Sequence, residues 1–147
     1  MQSIRRAERT DSSFLTTIVR TSHAYVGRYR AMVKNIDITS EQIEKDSVYV
    51  CEINERIVGF YSLLHHGEEA ELDFLFVDND FQGYGIGRFL FQHMLQVAKR
   101  QGFLGVEIVA HPPSEAFYAK MGAVTVGSEP PKGGITWSRP RMWIVVP

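Results

Sequence analysis

Between Glu71 and Leu95 the sequence reads E-L-D-F-L-F-V-D-N-D-F-Q-G-Y-G-I-G-R-F-L-F-Q-H-M-L. Two carboxylates, Glu71 and Asp73, stand two residues apart at its start, and Gly83, Gly85 and Gly87 alternate near its centre. On a strand, positions two apart share a face. Two carboxylates on one face raise each other's pKa and can relay a proton through water. Their simpler role is that of solvated acids at a cleft mouth, holding a cation. The glycines speak to a different chemistry. Where a glycine-rich turn opens a helix, free N–H groups and the positive end of the helix dipole face the turn, and an anion can approach the backbone. A turn that only needs glycine's φ/ψ freedom is served by one glycine; three in five positions favour a phosphate site. The dinucleotide pattern G-x-G-x-x-G fails at Arg88, and G-x-x-x-x-G-K-[ST] is absent.

These residues require a strand, a turn and a helix in succession. Glu71 to Val77 reads as a strand buried on both faces, with Leu72, Phe74 and Phe76 on one side and Leu75 and Val77 on the other. Asp78-Asn79-Asp80 ends it. A helical pattern then runs from about Tyr84 through Ile86, Leu90, Met94 and Val97 to Gln101-Gly102.

Upstream, Ser3 to Ala7 reads as a first strand. Asp11 or Ser12 caps a helix carrying Phe14, Leu15, Ile18 and Val19, and Thr39 with Gln42 resembles a capping box for a helix to Lys45. His23 to Met32 either lines a substrate pocket or covers the core with Tyr25, Val26 and Tyr29. Ser47–Ile53 and Arg56–Leu64 form a hairpin about Asn54-Glu55, and His65 to Glu69 turns the chain into the Glu71 strand.

Downstream, Gly105 to Ala110 is a strand parallel to the Glu71 strand if the helix between them is a right-handed crossover. Ser114 to Met121 is a short helix stopped by Gly122. Ala123–Gly127 and Arg139–Val146 are final strands around a Pro130-to-Ser138 loop. The expected fold is α/β (α+β): a mixed, mainly antiparallel sheet of about seven strands with helices on both faces and one parallel βαβ step, in a single domain over residues 1–147.

The composition narrows function mainly by exclusion. The 147 residues are 44% hydrophobic and 22% charged with net charge −1, so no basic face points to nucleic acid. No apolar run approaches the roughly 18 residues of a membrane span. Met1 to Arg6 lacks the apolar core of a signal peptide, and the single cysteine, Cys51, sits in a strand-like run. A buried structural thiol and a cytoplasmic setting are expected. His65 and His66 point opposite ways on a strand, and His23, His93 and His111 lack ligand spacing, so no metal is expected.

Two motifs carry a resemblance. Q-G-Y-G-I-G fits [QR]-x-x-G-x-[GA] with Gln82, Gly85 and Gly87, and A-H-P-P-S-E-A-F-Y-A-K-M-G-A from Ala110 fits a strand followed by F-Y-x-K-x-G with Phe117, Tyr118, Lys120 and Gly122. In order and spacing they resemble the signatures of the GNAT N-acetyltransferase superfamily, and the resemblance covers essentially the whole chain. His111, where Asn or Asp often stands, and Ala123, where an aromatic usually stands, depart from the pattern.

The resemblance implies direct transfer of an acetyl group from acetyl-coenzyme A to a primary amine. It implies that the backbone of Gly83, Tyr84, Gly85, Ile86, Gly87 and Arg88 holds the pyrophosphate, and that the main chain of Leu75, Phe76 and Val77 aligns the pantetheine arm. Gln82, Ser114, Phe117 and Lys120 also fall at the coenzyme. Tyr118 is implied as the acid at the coenzyme sulfur, and Glu71, with Asp73 beside it, as the base. A small-molecule amine is the favoured acceptor, because the Pro130-to-Ser138 loop with Trp137 suits a wall around a compact ligand. A protein or peptide acceptor and a non-catalytic acyl-coenzyme A-binding module are the rivals. The closing strand, Met142 to Val145, suits a homodimer contact or the cover of its own core.

Overall fold

A computed structural model describes residues 1–147. Seven strands, β1 (Gln2–Arg6), β2 (Ser47–Ile53), β3 (Arg56–His66), β4 (Glu69–Val77), β5 (Gly105–Val109), β6 (Val124–Glu129) and β7 (Arg139–Val145), form one sheet in the order β1-β2-β3-β4-β5-β7-β6. Only β4 and β5 run parallel. The helices are α1 (Ser12–Arg20), α2 (Arg30–Val33), α3 (Ser40–Lys45), α4 (Ile86–Arg100) and α5 (Glu115–Lys120). The expected mixed sheet, with its parallel step through α4, is therefore present.

Local chemistry accounts for the well-formed joints. Asn54 and Glu55 adopt φ of 51° and 66°, the two left-handed residues that a tight hairpin between right-twisted strands demands. Thr39 accepts from the Gln42 N–H at 3.1 Å and so caps α3. Lys99 and Arg100 sit in the last turn of α4, against the negative end of its dipole.

Two apolar layers cover the sheet. On one face α4 lays Ile86, Leu90, Phe91, Met94 and Val97 against Val58, Tyr61, Leu63, Leu72 and Val106. On the other, α1 and α3 bring Leu15, Ile18, Val19 and Ile43 to Val48, Val50 and Phe60. Cys51 is fully buried, and burial pushes its thiol up to about 11, as befits a structural residue. His93 accepts or donates one hydrogen bond with the Tyr61 hydroxyl at 2.8 Å within the α4 layer.

Several expectations need correction. Ser62 pairs with Phe74 while Leu63 pairs with Leu72, so Asp73 is an extra residue in β4. This bulge resets the alternation. Leu72 faces α4, whereas Phe74 and Phe76 turn to the opposite layer beside Phe60, and Leu75 and Val77 take over the α4 side. His65 and His66 belong to β3, and the reversal is made by Gly67 and Glu68 alone. Helix α4 begins at Ile86, not Tyr84, because Gly83 and Gly85 are left-handed at φ 82° and 76°. Asp11 does not cap α1 with its side chain. Its carboxylate accepts from Arg5 at 2.9 Å and from the Glu8 N–H at 2.8 Å. Phe14 is 62% exposed.

The closing strand is also placed differently from a dimer edge. β7 is hydrogen-bonded on both sides, to β5 and to β6, and Met142 and Ile144 enter the core. Strand-to-strand pairing with a second subunit is therefore closed to β7; β1 and β6 are the sheet's free edges.

Helix α4 lies very close to β3 at Gly59. A Cβ there would stand 2.8 Å from the Phe76 carbonyl oxygen and 3.1 Å from Leu90 Cδ1. Backbone cannot yield as a side-chain tip can, so Gly59→Ala is expected to lower unfolding free energy by about 1–3 kcal/mol in urea titration. A cost indistinguishable from zero would show that β3 and β4 move apart freely.

Candidate active site

The site begins where the parallel pair ends. β4 and β5 are matched only at Ala70–Val106 and Glu71–Glu107, and beyond this they part. The α4 loop closes one end of the opening, and a cavity of about 590 Å³ runs through it. Leu75, Phe76 and Val77 form one wall; Val109, Ala110 and His111 form the other.

The loop between Asp78 and α4 is shaped for an anion. Asp78 accepts from the Asp80 N–H, Arg56 reaches both aspartates, and Gln82 Nε2 donates to the Val77 carbonyl at 2.9 Å. These contacts hold the turn on the end of β4. The N–H groups of Gly83 through Arg88 donate to nothing in the chain. Built at Gly83 or Gly85, a Cβ would find nothing within 4 Å, so open space lies beside those free donors. At Gly87 the reason for glycine differs: a Cβ would press on the Phe117 ring at 3.3 Å. Arg88 and Lys120 add positive charge along the same cleft.

Tyr118 lines the cavity from α5, packed against Phe91 and Phe117 and only 8% exposed. Burial, and secondarily Tyr25, hold its hydroxyl well above the ordinary tyrosine pKa, so it remains a protonated donor. Opposite, Asp73 looks into the cleft from the bulge. Its edge is open to water, yet desolvation first, then the charges of Glu71 and Asp46, push its pKa up to about 6.

Of the sequence-derived candidates, Asp73, Leu75, Phe76, Val77, Gln82, Gly83, Gly85, Ile86, Gly87, Arg88, Ser114, Phe117, Tyr118 and Lys120 meet in this cavity. Tyr84 and Glu71 do not line it. Tyr84 is 65% exposed, its ring edge-on to Phe81. Glu71 lies where β4 still pairs with β5, behind the fork, and binds His66 Nε2 at 2.9 Å.

The remaining wall was only partly visible in the sequence. Tyr25 stacks on Phe76 at 5.4 Å and on His111 at 3.8 Å, and Val33 and Ile36 continue the same surface. The stretch from His23 to Met32 thus lines the pocket and covers the core at once. His111 is buried and donates from Nε2 to the Ala24 carbonyl at 2.7 Å; burial lowers its pKa and keeps it neutral. Its replacement of the usual Asn or Asp was the only signal of this contact, and no spacing rule converts that into a partner 87 residues away.

Residues 13–142 match the sequence family described as the acetyltransferase (GNAT) domain. The chain belongs to the GNAT acetyltransferase family. An uncharacterised N-acetyltransferase of Methanocaldococcus jannaschii is 35% identical over 89 residues, which are 54% of this GNAT chain and 39% of that relative. The match thus spans well under half of the relative's length. Ard1 from Thermoplasma volcanium shares the fold at a TM-score of 0.81, with 23% identity, 99% of this chain and 98% of that one covered. The PaiA N-acetyltransferase of Thermoplasma acidophilum, solved with coenzyme A, gives 0.78 at 18% identity over 97% and 98%. The ribosomal-protein-S18-alanine N-acetyltransferase of Escherichia coli gives 0.76 at 20% identity over 99% and 94%.

The Asp73 shift in this GNAT domain has a measurable sign. The folded state holds that proton more tightly than the unfolded chain, whose Asp titrates near about 4. Below about pH 4 both states are protonated and nothing is lost; stability then falls as pH rises through about 6 and this solvent-exposed carboxylate ionises, by an amount that solvent screening keeps small. Asp73→Asn should therefore melt a few degrees above the wild type at pH 8 and level with it at pH 4. A difference independent of pH in differential scanning calorimetry would contradict the shift.

Proposed function

We propose that this GNAT domain moves an acetyl group from acetyl-coenzyme A directly to the primary amine of a small molecule. The observation that carries it is the meeting, in one cavity, of unpaired N–H groups at the α4 loop, the parted edges of β4 and β5, and a buried protonated Tyr118. Bound there, the coenzyme supplies an activated thioester carbonyl. The Gly83-to-Arg88 backbone and the Arg88 side chain hold its pyrophosphate. The main chain of Leu75 to Val77 pairs with the amides of the pantetheine arm in the manner of an added strand, and Ser114, Phe117 and Lys120 flank it.

Each catalytic role follows from environment. An amine of pKa about 10 reaches neutral water as an ammonium and must shed a proton before or during attack. Asp73, at about 6 and largely ionised at pH 7, attracts the ammonium and receives that proton directly or through water. Glu71, fixed by His66, acts on the reaction through the charge it places beside Asp73. Tyr118 donates its hydroxyl hydrogen bond to the departing sulfur. Because its pKa lies above that of a thiol, the tyrosine stabilises thiolate mainly by that hydrogen bond, and the proton shed by the amine restores the thiol. Backbone N–H groups near Val77 stabilise the oxyanion.

The small-molecule preference rests on enclosure. Tyr25 closes the cavity between Phe76 and His111, whereas Trp137, buried against Tyr29, and the rest of the Pro130-to-Ser138 loop do not line it and do not form the wall expected of them. A peptide would need an open groove there. The Escherichia coli neighbour is named for a protein acceptor, so a peptide remains the second reading to be tested.

Thiol release from acetyl-coenzyme A should be followed against amines, amino acids and peptides for the wild type, Tyr118→Phe, Asp73→Asn and Glu71→Gln. Loss of roughly 10²-fold in kcat for Tyr118→Phe and Asp73→Asn, with coenzyme binding kept within a few-fold, is expected. Wild-type kcat/KM should climb with pH through about 6, and Asp73→Asn should lose that limb. Failure to bind coenzyme A in calorimetry would overturn the proposal, and turnover confined to peptides would select the second reading.

A further inference from the structure

The lining of the cavity divides between the two apolar layers that the sheet separates. Leu75, Val77, Ile86, Ile108, Phe117 and Tyr118 belong to the α4 layer. Tyr25, Met32, Val33, Ile36, Phe74 and Phe76 belong to the layer opposite. One cavity touches both sets, so it passes between β4 and β5 where they part. The glycine-rich loop lies with the α4 set, since Gly87 abuts Phe117 and Val77, and Lys120 extends from the same short helix as Phe117. The proposed coenzyme site takes that side. The lobe across the sheet is left to whatever meets the thioester.

Three pieces of chain build this far lobe. The bulge at Asp73 turns Phe74 and Phe76 away from α4, where unbroken alternation from Leu72 would have kept them. Tyr25, from the stretch after α1, stacks on Phe76 with 5.4 Å between ring centres, and Phe74 stands 6.0 Å from Phe76. Helix α2 and the turn after it add Met32, Val33 and Ile36. Tyr25, Met32, Ile36 and Phe74 are only partly buried; each packs on the core with one side and lines the cavity with another. Half-covered aromatic and aliphatic side chains in one concave place leave apolar surface that an apolar ligand removes from water.

Few polar groups interrupt that surface. Ser22 Oγ accepts from the Ala24 N–H at 3.3 Å, and His111 donates from Nε2 to the Ala24 carbonyl at 2.7 Å. The charged side chains that line the cavity are Arg88, Lys120 and Asp73, and both bases stand on the coenzyme side. Asp73, the one acid among them, is already committed to the amine in the proposed reaction. A carboxylate or a second ammonium carried into the far lobe would give up hydration and find no partner there.

We infer that the acceptor is a lipophilic primary amine, its ammonium drawn to Asp73 and its uncharged alkyl or aryl body held in the lobe between Tyr25, Phe74 and Ile36. The inference rests on the proposed transfer to a small amine and names its substrate class. Free amino acids and polyamines, which carry a further charge, are poor acceptors by the same geometry. The residues of the lobe set specificity; they do not act on the protons or the carbonyl that react.

The test is calorimetric binding of product-like amides, on the protein with and without coenzyme A. The ladder is N-ethyl-, N-butyl- and N-hexylacetamide. Beside it stand N-(2-phenylethyl)acetamide and N-acetylphenylalanine, the same body without and with a carboxylate. Each added methylene should tighten binding about threefold to fourfold. The carboxylate should weaken it about tenfold or more, and N-(4-aminobutyl)acetamide should bind more weakly than N-butylacetamide. Met32→Gln and Ile36→Asn, both at half-buried positions, should flatten the ladder. A flat ladder in the wild type, a carboxylate or terminal ammonium bound as well as its uncharged counterpart, or a ladder that neither substitution lowers overturns the inference. If a variant does not fold, the wild-type ladder and the charged probes decide alone. Hexanoyl-coenzyme A separates the other apolar occupant, a longer acyl chain: binding roughly tenfold or more tighter than acetyl-coenzyme A, and lost in Ile36→Asn, would assign the lobe to the acyl group and overturn the inference as well. Coenzyme A binding, measured first in the same cell, reports separately on the transfer reading. Its absence with the ladder intact sinks the transfer reading alone, and its presence with a flat ladder sinks this inference alone.

Discussion

A peptide group taken out of water needs a partner, and the parting of β4 from β5 is the place where this chain declines to provide one. After Ala70 and Glu71 the two strands share no further pairing, so their inner edges carry donors and acceptors addressed to something that is not sheet. The α4 loop repeats the situation with its free N–H groups. The surrounding architecture keeps both features open. The Asp73 bulge bends β4, Gln82 ties the loop to Val77, and Phe117 wedges against Gly87 so that α5 stays beside the start of α4. The parted strands thus explain the bulge, the glycines and the short helix together.

The side chains around the opening share an electrostatic tendency. Desolvation is the first cause of every shift there: Tyr25 and Tyr118 upward, Asp73 upward, His111 downward. Each shift favours the uncharged form. The charges that line the cleft, Arg88, Lys120 and the Asp73 carboxylate, belong to side chains exposed to solvent. The tyrosines at its centre serve as hydrogen-bond donors, while the ionised groups sit toward the margins.

What could be read in the sequence was whatever depends on near neighbours. Asn54-Glu55, the Thr39 cap, the Q-G-Y-G-I-G loop and the buried Cys51 follow from contacts within a few residues, and each is where expected. The bulge at Asp73 is a property of two strands in register, and neither strand's own pattern contains it. Missing it put Leu72 on the wrong face, while Glu71 was favoured as the base by the resemblance alone; the structure sets Asp73 at the cleft and Glu71 against His66. Trp137, in a Pro/Gly-rich loop, gave no sign of being buried against a tyrosine more than a hundred residues earlier. His111 read as a departure from a motif, yet it supplies the hydrogen bond that holds Ala24 and Tyr25 in place.

The insertion of β7 between β5 and β6 sets an order of events on the ribosome. β6 has no partner other than β7, and the far edge of β5 has none either. As the chain emerges, β2 to β4 can zip up through successive hairpins, β1 can pair with β2 across the intervening helices, and α4 can return the chain to lay β5 beside β4. The sheet must then wait with β5 exposed and β6 unpaired until Arg139–Val145 has cleared the exit tunnel and slid into the gap. That interval also leaves Ala110 and the His111 corner unbraced, because their anchor is the Pro140 carbonyl. The His111 corner of the cleft is thus the last part of the molecule to take shape during synthesis.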